Sequence, residues 1–120
     1  MFGDILSDEA SEISGSLGLA ASLNAGSDHA MAQAQHGSAP DIAGRNVANP
    51  TALMGSAAML LAWLGERRKE DRFSRAAKAI EDAIDRTIAD PQTRTADLGG
   101  DRSTEAFTKR VVEELGTKDW

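Results

Sequence analysis

A chain of 120 residues with 41% apolar side chains can build one modest core, withdrawing about 65% of the surface its unfolded form exposes. Aromatic content is 4% and Tyr is absent, so that core must come from Ala, Leu, Ile and Met, with Phe2, Phe73, Phe107, Trp63 and Trp120 as its large rings. A formal charge of −6 disfavours nucleic acid and anionic membrane surfaces as partners, and the absence of Cys excludes disulfides, thiol nucleophiles and thiolate metal sites.

The N-terminus lacks a basic segment followed by an apolar one, and the stretch Ala57 to Leu64 is too short to span a bilayer. No membrane partner is expected, and the cytoplasm is the expected compartment. From Phe2 to about Ser14, the residues Phe2, Ile5, Leu6, Ala10 and Ile13 fall near helical spacing, and Gly15 and Gly18 end the pattern. A helix beginning with no capping residue ahead of it reads as a cut through a longer domain.

Leu17 to Ala25 and Ala30 to Gln35 read as two short strands joined by a turn at Gly26-Ser27-Asp28. His36 to Pro50, rich in Gly, Pro, Asn and Asp, reads as an ordered loop. Asn49-Pro50 opens a helix expected to run to Leu64 with Gly65 as its C-cap, because Asn caps free amides and Pro at the first position gives up a donor that had no partner. Apolar residues surround most of that helix, so it is expected to be buried on nearly all sides. A second helix from about Lys69 to Ala89 carries Phe73, Ala77, Ile80, Ile84 and Ile88 on one stripe. Asp90 to Arg102 reads as loop, and Ser103 or Thr104 caps a final helix bearing Phe107, Val111, Val112 and Leu115.

Two places carry candidate chemistry. Asp4, Asp8 and Glu12 stack on one face of the first helix at i,i+4 spacing, where like charges repel by about 0.2–0.5 kcal/mol per pair. A hard divalent cation would turn that repulsion into ligation; a solvated acidic face near a helix N-terminus explains the same spacing. In the loop, Gly37, Ser38, Ala39 and Gly44 are small enough for a ligand to lie against backbone, and His36, Asp41 and Asn49 supply donors and acceptors. A carboxylate at Asp41 suits a ribose diol and would repel a 2′-phosphate. A purely structural loop is the other reading, since no GxGxxG fingerprint is present.

The strings Met1 to Ala10, His36-Gly37-Ser38-Ala39-Pro40-Asp41-Ile42-Ala43-Gly44 and Ala48-Asn49-Pro50, then Ser56 to Leu61, Asp97-Leu98-Gly99-Gly100 and Thr104 to Thr108, resemble the isocitrate/3-isopropylmalate dehydrogenase family in order and spacing. The resemblance covers essentially the whole chain and implies a helix-rich partial α/β fold with about four helices and two short strands. Residues 1–120 would form a single truncated domain matching the C-terminal third of such an enzyme. It further implies that Asp4 and Asp8 hold Mg²⁺ or Mn²⁺ against a 2-hydroxyacid. His36, Gly37, Ser38, Ala39, Asp41, Ile42 and Asn49 would form the adenosine side of an NAD site, with Asp41 on the ribose and Asn49 near the adenine.

Two departures stand out. Gln33 occupies the position where the family commonly places a Glu near the nicotinamide, and Gly55 stands where relatives carry a large apolar residue, implying a leucine-sized gap worth about 2–5 kcal/mol. The family's general-acid Tyr, general-base Lys, partner-subunit metal Asp and substrate Arg cluster match nothing here: Lys69, Lys78, Lys109 and Lys118 lie in polar contexts unlike the catalytic motif. The expected protein is therefore a dehydrogenase fragment without catalysis of its own. It would pair with a missing N-terminal polypeptide, or self-associate as a dimer or higher oligomer in the manner of a stand-alone pseudoenzyme or nucleotide- or metal-binding module.

Overall fold

The structure is a computed structural model that describes residues 19–116. The expected first helix, with Asp4, Asp8 and Glu12, lies outside the described residues. Within them the order is a hairpin of β1 (Ala21–Ala25) and β2 (Ala30–Ala34), then helices α1 (Thr51–Arg68), α2 (Asp71–Ala89) and α3 (Thr104–Gly116). This is the expected α/β arrangement, with three α-helices where about four were expected for the whole chain. Among the described residues no helix is long and apolar enough to cross a membrane.

The hairpin closes through Gly26 N, which donates to His29 O at 2.8 Å, around a turn at Ser27-Asp28. Its strands pair antiparallel from Ala21 opposite Ala34 to Ala25 opposite Ala30. The ladder has one added link. Ser22 N donates to Ser56 Oγ at 3.1 Å, and that hydroxyl lies 2.8 Å from Gln33 O and 2.7 Å from Ala52 O. A helix side chain thus bonds to both members of a strand pair that is also joined directly, Ser22 Oγ donating to Gln33 O at 2.8 Å. Ser56→Ala should take this acceptor from Ser22 N, while Gln33 O keeps the Ser22 hydroxyl at 2.8 Å, and cost about 1 kcal/mol. Faster amide exchange at Ser22, together with a lower urea midpoint, is the expected readout; unchanged exchange would show that the hydroxyl carries nothing.

The expected gap at Gly55 is absent. A Cβ at Gly55 would stand 3.1 Å from Ala21 Cβ, so β1 occupies the room that a larger side chain would need. Gly55 lets the hairpin settle onto α1.

Helix α1 also differs from expectation at its end. It runs past Gly65 to Arg68 and stops where Lys69 adopts a left-handed conformation, φ 53°. Glu70 N donates to Gly65 O at 3.0 Å and Lys69 N to Glu66 O at 3.4 Å, the paired bonds of a Schellman ending. Gly65 is instead a crossing point: a Cβ there would overlap Ser74 Oγ and lie 2.9 Å from Ser74 N, so only Gly lets α2 pass this close.

The stripe on α2 packs as expected, and the core is Ala83 and Ile84 of α2 with Phe107 and Val111 of α3, edged by Met54, Ile80, Ile88 and Leu115. Ser103 caps α3, its Oγ accepting from Ala106 N at 3.0 Å. Arg86 Nε meets Glu114 Oε2 at 2.8 Å and so ties α2 to α3. The expectation that α1 is buried on nearly all sides does not hold. Ala52, Ser56, Ala58 and Gly65 are buried, but Leu53 is 61% exposed and Ala57 is exposed, because the hairpin and α2 together cover only part of its circumference.

Candidate functional site

The loop from His36 to Pro50 leaves β2 and enters α1, and its shape is set by hydrogen bonds to two later segments. At its far end, buried Asn49 accepts from Thr51 N through Oδ1 at 2.9 Å and donates from Nδ2 to Asp97 Oδ2 at 3.0 Å. The first bond closes a turn just ahead of α1, whose cap position is Pro50 rather than the expected Asn49 and carries no side-chain cap bond. The second fixes which way the amide points, leaving one N–H and one lone pair of Asn49 uncommitted. Asp97 is held in turn by Thr95, whose fully buried hydroxyl donates to Asp97 Oδ1 at 2.5 Å.

The second clamp is Asn46, in a left-handed conformation at φ 56° that Asn tolerates better than most residues. Its carbonyl accepts from Thr104 N at 3.0 Å and its Oδ1 from Glu105 N at 3.1 Å, while Thr104 Oγ1 donates to Ala48 O at 2.5 Å. The loop therefore satisfies the free amides that open α3.

Between β2 and these clamps, the candidate residues face outward. His36 is exposed, its Nδ1 2.9 Å from Gly37 O, an arrangement that places the proton on Nδ1 and leaves Nε2 as acceptor in the neutral ring. Gly37 has nothing within 4 Å of where a Cβ would stand, so the backbone is open there. Ser38 is exposed, and Ala39 turns left-handed at φ 44° into a short 3₁₀ turn, Pro40–Ile42. Asp41 sits in that turn, exposed and in no ion pair among the described residues, while Ile42 is half-buried. The structure thus brings His36 to Ile42 onto one continuous outer segment and uses the side chain of Asn49 mainly for structure. Asp4 and Asp8 lie outside the described residues. Among those described, no group of three His, Asp or Glu is placed to hold a metal ion.

Sequence reasoning overlooked the clamps. Asp97 and Thr104 were parts of recognised strings, Thr104 also as a candidate cap of the final helix, but neither had a role at the loop, and Thr95 and Asn46 had none. Of these only Asn46 carried a local signal, since Asn within a Gly-rich loop often marks a left-handed turn.

The isocitrate/isopropylmalate dehydrogenase family model matches residues 1–115. The chain belongs to that family. It is 52% identical over 115 residues to the isocitrate/homoisocitrate dehydrogenase of Thermus thermophilus, covering 96% of this chain and 32% of that protein. It is 41% identical over 116 residues to the 3-isopropylmalate dehydrogenase of Sulfurisphaera tokodaii, covering 97% of this chain and 34% of that one. Among solved structures, the isocitrate dehydrogenase of Methylococcus capsulatus superposes with a TM-score of 0.85 at 42% identity, over 96% of this chain and 32% of that chain. The chain spans about a third of the length of these relatives.

Proposed function

We propose that this chain supplies the adenosine side of the cofactor site in an NAD-dependent β-decarboxylating dehydrogenase of 2-hydroxyacids, and is not catalytic alone. The observation that carries this reading is the exposed, open-backed segment His36 to Ile42, held between β2 and two clamps in a chain of this family. NAD, when bound, would supply the hydride acceptor for oxidation of the substrate carbinol. The chain's own part is positioning. Asp41, free of ion pairs among the described residues, accepts hydroxyls of the adenosine ribose and repels a 2′-phosphate. Gly37 and Ala39 let the adenosine approach the backbone, Ser38 and His36 Nε2 offer polar contacts, and Ile42 and the edge of Asn49 border the base. Asp4 and Asp8 are assigned to Mg²⁺ or Mn²⁺ on the family resemblance alone. Proton transfer needs groups from elsewhere, since Tyr is absent from the sequence. The zero Cys content fits the cytoplasm, where we place the protein.

Mixing the chain with the upstream two-thirds of the Thermus thermophilus isocitrate/homoisocitrate dehydrogenase tests the reading. NADH should form only in the mixture and only with a divalent cation, and Asp41→Ala should weaken NAD binding by about tenfold, the loss of one charge-assisted hydrogen bond of about 1.5 kcal/mol. No NADH from a stable mixture would sink the dehydrogenase reading. The second reading, a self-associating pseudoenzyme, draws on the exposure of Leu53, 61%, and is favoured if the chain alone is a dimer or larger in sedimentation.

A further inference from the structure

Helix α3 has a second face besides the one that enters the core. Ala106, Lys109, Arg110 and Glu113 recur at three- and four-residue spacing, which stacks them along one side of the helix, away from Phe107 and Val111. Facing them is the short 3₁₀ turn Pro91–Thr93 that follows α2. Between turn and helix lies a cavity of about 270 Å³ with Asp90, Gln92, Arg102, Lys109, Arg110 and Glu113 in its lining. Half-buried Ala106 also lines it, and its lone methyl leaves the space that a longer side chain would fill.

Three cations thus meet two carboxylates, a positive balance in a chain whose formal charge is −6. Not all of that charge is available. Arg110 is neutralised within its own helix, 3.6 Å from Glu113 and paired also with Glu114. Arg102 donates from Nε to Gln92 O at 2.7 Å, with Asp101 3.8 Å away. This bond anchors the guanidinium at the turn and leaves its two terminal nitrogens without a hydrogen bond among the described residues. Lys109 is exposed and makes no ion pair or hydrogen bond among them. Asp90 accepts from Gln92 N through Oδ1 at 2.9 Å, which caps the turn, and its other oxygen makes no bond among them.

The uncommitted groups are therefore an ammonium, the open end of a guanidinium and one carboxylate oxygen. Arg and Lys together are the donor set for a phosphate, Arg through its planar fork and Lys as a point charge. An ionised carboxylate is acceptor-only, so Asp90 repels a bare anion and welcomes one that brings a hydroxyl. The volume falls just under the range of about 300–1,000 Å³ typical of larger ligands, so the occupant is compact. We propose that this cavity is a site for hydrogen phosphate, its charged oxygens on Arg102 and Lys109 and its hydroxyl donating to Asp90. None of these residues belongs to the cofactor segment, so failure of the dehydrogenase reading would leave the site standing.

The test is a nuclear magnetic resonance titration of the 120-residue chain with inorganic phosphate at neutral pH, against sodium chloride and sodium sulfate at matched ionic strength. Phosphate should give saturable shifts at the amides of Gln92, Arg102 and Lys109 with a dissociation constant of about 1 mM. Sulfate, which has no proton to give Asp90, should bind about tenfold more weakly or not at all. Lys109→Gln should weaken phosphate binding by about tenfold, whereas Lys78→Gln, at an exposed lysine of α2, should change nothing. Asp90→Asn keeps an acceptor for Gln92 N and removes the charge, so it should raise sulfate binding to the level of phosphate. Lys109 is exposed and unpaired, so its variant should fold, with the rest of its spectrum superposing on that of the parent. Shifts that chloride reproduces, phosphate binding that survives Lys109→Gln, or sulfate bound as tightly as phosphate by the parent chain would each overturn the proposal.

Discussion

Gly100→Ala should lose about 3 kcal/mol of stability, at the upper end of what forcing a methyl into occupied space costs. A Cβ at Gly100 would overlap the carbonyl oxygen of Arg94 and lie 2.5 Å from its carbonyl carbon. These are backbone atoms and cannot rotate aside. They belong to a tight structure in which Gly100 N donates to Thr95 O and Arg102 N to Arg94 O, both at 3.0 Å, alongside a parallel bridge between Thr95 and Arg102. Moving Arg94 also disturbs its caps on the end of α2, where its Nε donates to Ile88 O at 2.6 Å. Its neighbour supplies the comparison. Gly99 is left-handed at φ 85° with nothing near a Cβ, so Gly99→Ala should cost only the strain of that conformation, about 1 kcal/mol. Urea unfolding of the two variants should separate them clearly; equal midpoints would mean that Arg94 has room to yield.

Phe107→Ala is the other large effect, at about 3–5 kcal/mol. Phe107 is fully buried and joins Val111 of α3 to Ala83 and Ile84 of α2. It is the one aromatic ring in that cluster, and the surrounding helices are tied by Arg86 to Glu114, which limits how far they can collapse into the space. A domain of this size is stable by only about 5–15 kcal/mol, so the variant should bind a hydrophobic dye and lose near-ultraviolet dichroism. Val112→Ala, at a position 59% exposed, should stay within about 0.5 kcal/mol of the parent. A Phe107 variant as stable as that one would mean the core lies elsewhere.

The helices and the hairpin were legible in the sequence because their signals are local. The stripe on α2, the Asn-Pro opening of α1, the Ser cap of α3 and the turn after Gly26 each depend on neighbours a few residues apart. What was misread depends on distant partners. Gly65 looks like a helix stop by composition, and only the crossing of α2 shows that its missing side chain serves packing. Gly55 looks like a gap until β1 is laid against it, and the exposed side of α1 appears only once the hairpin and α2 are in place. The same holds for the candidate site: His36 to Ile42 could be picked out as a string, but the clamps bring Asn46 and Asn49 to residues 48 to 59 positions away, and no local pattern encodes such pairings.

The Ser56 hydroxyl couples the hairpin to the helix. The hairpin needs only local turn geometry to begin, yet its Ser22 and Gln33 pair also bonds to a hydroxyl of α1, 34 residues from Ser22 and 23 from Gln33. Docking of the helix therefore adds bonds to the middle of the hairpin, and loss of the helix takes them away. A segment whose own formation takes on the order of microseconds thus draws part of its stability from a contact of much longer range.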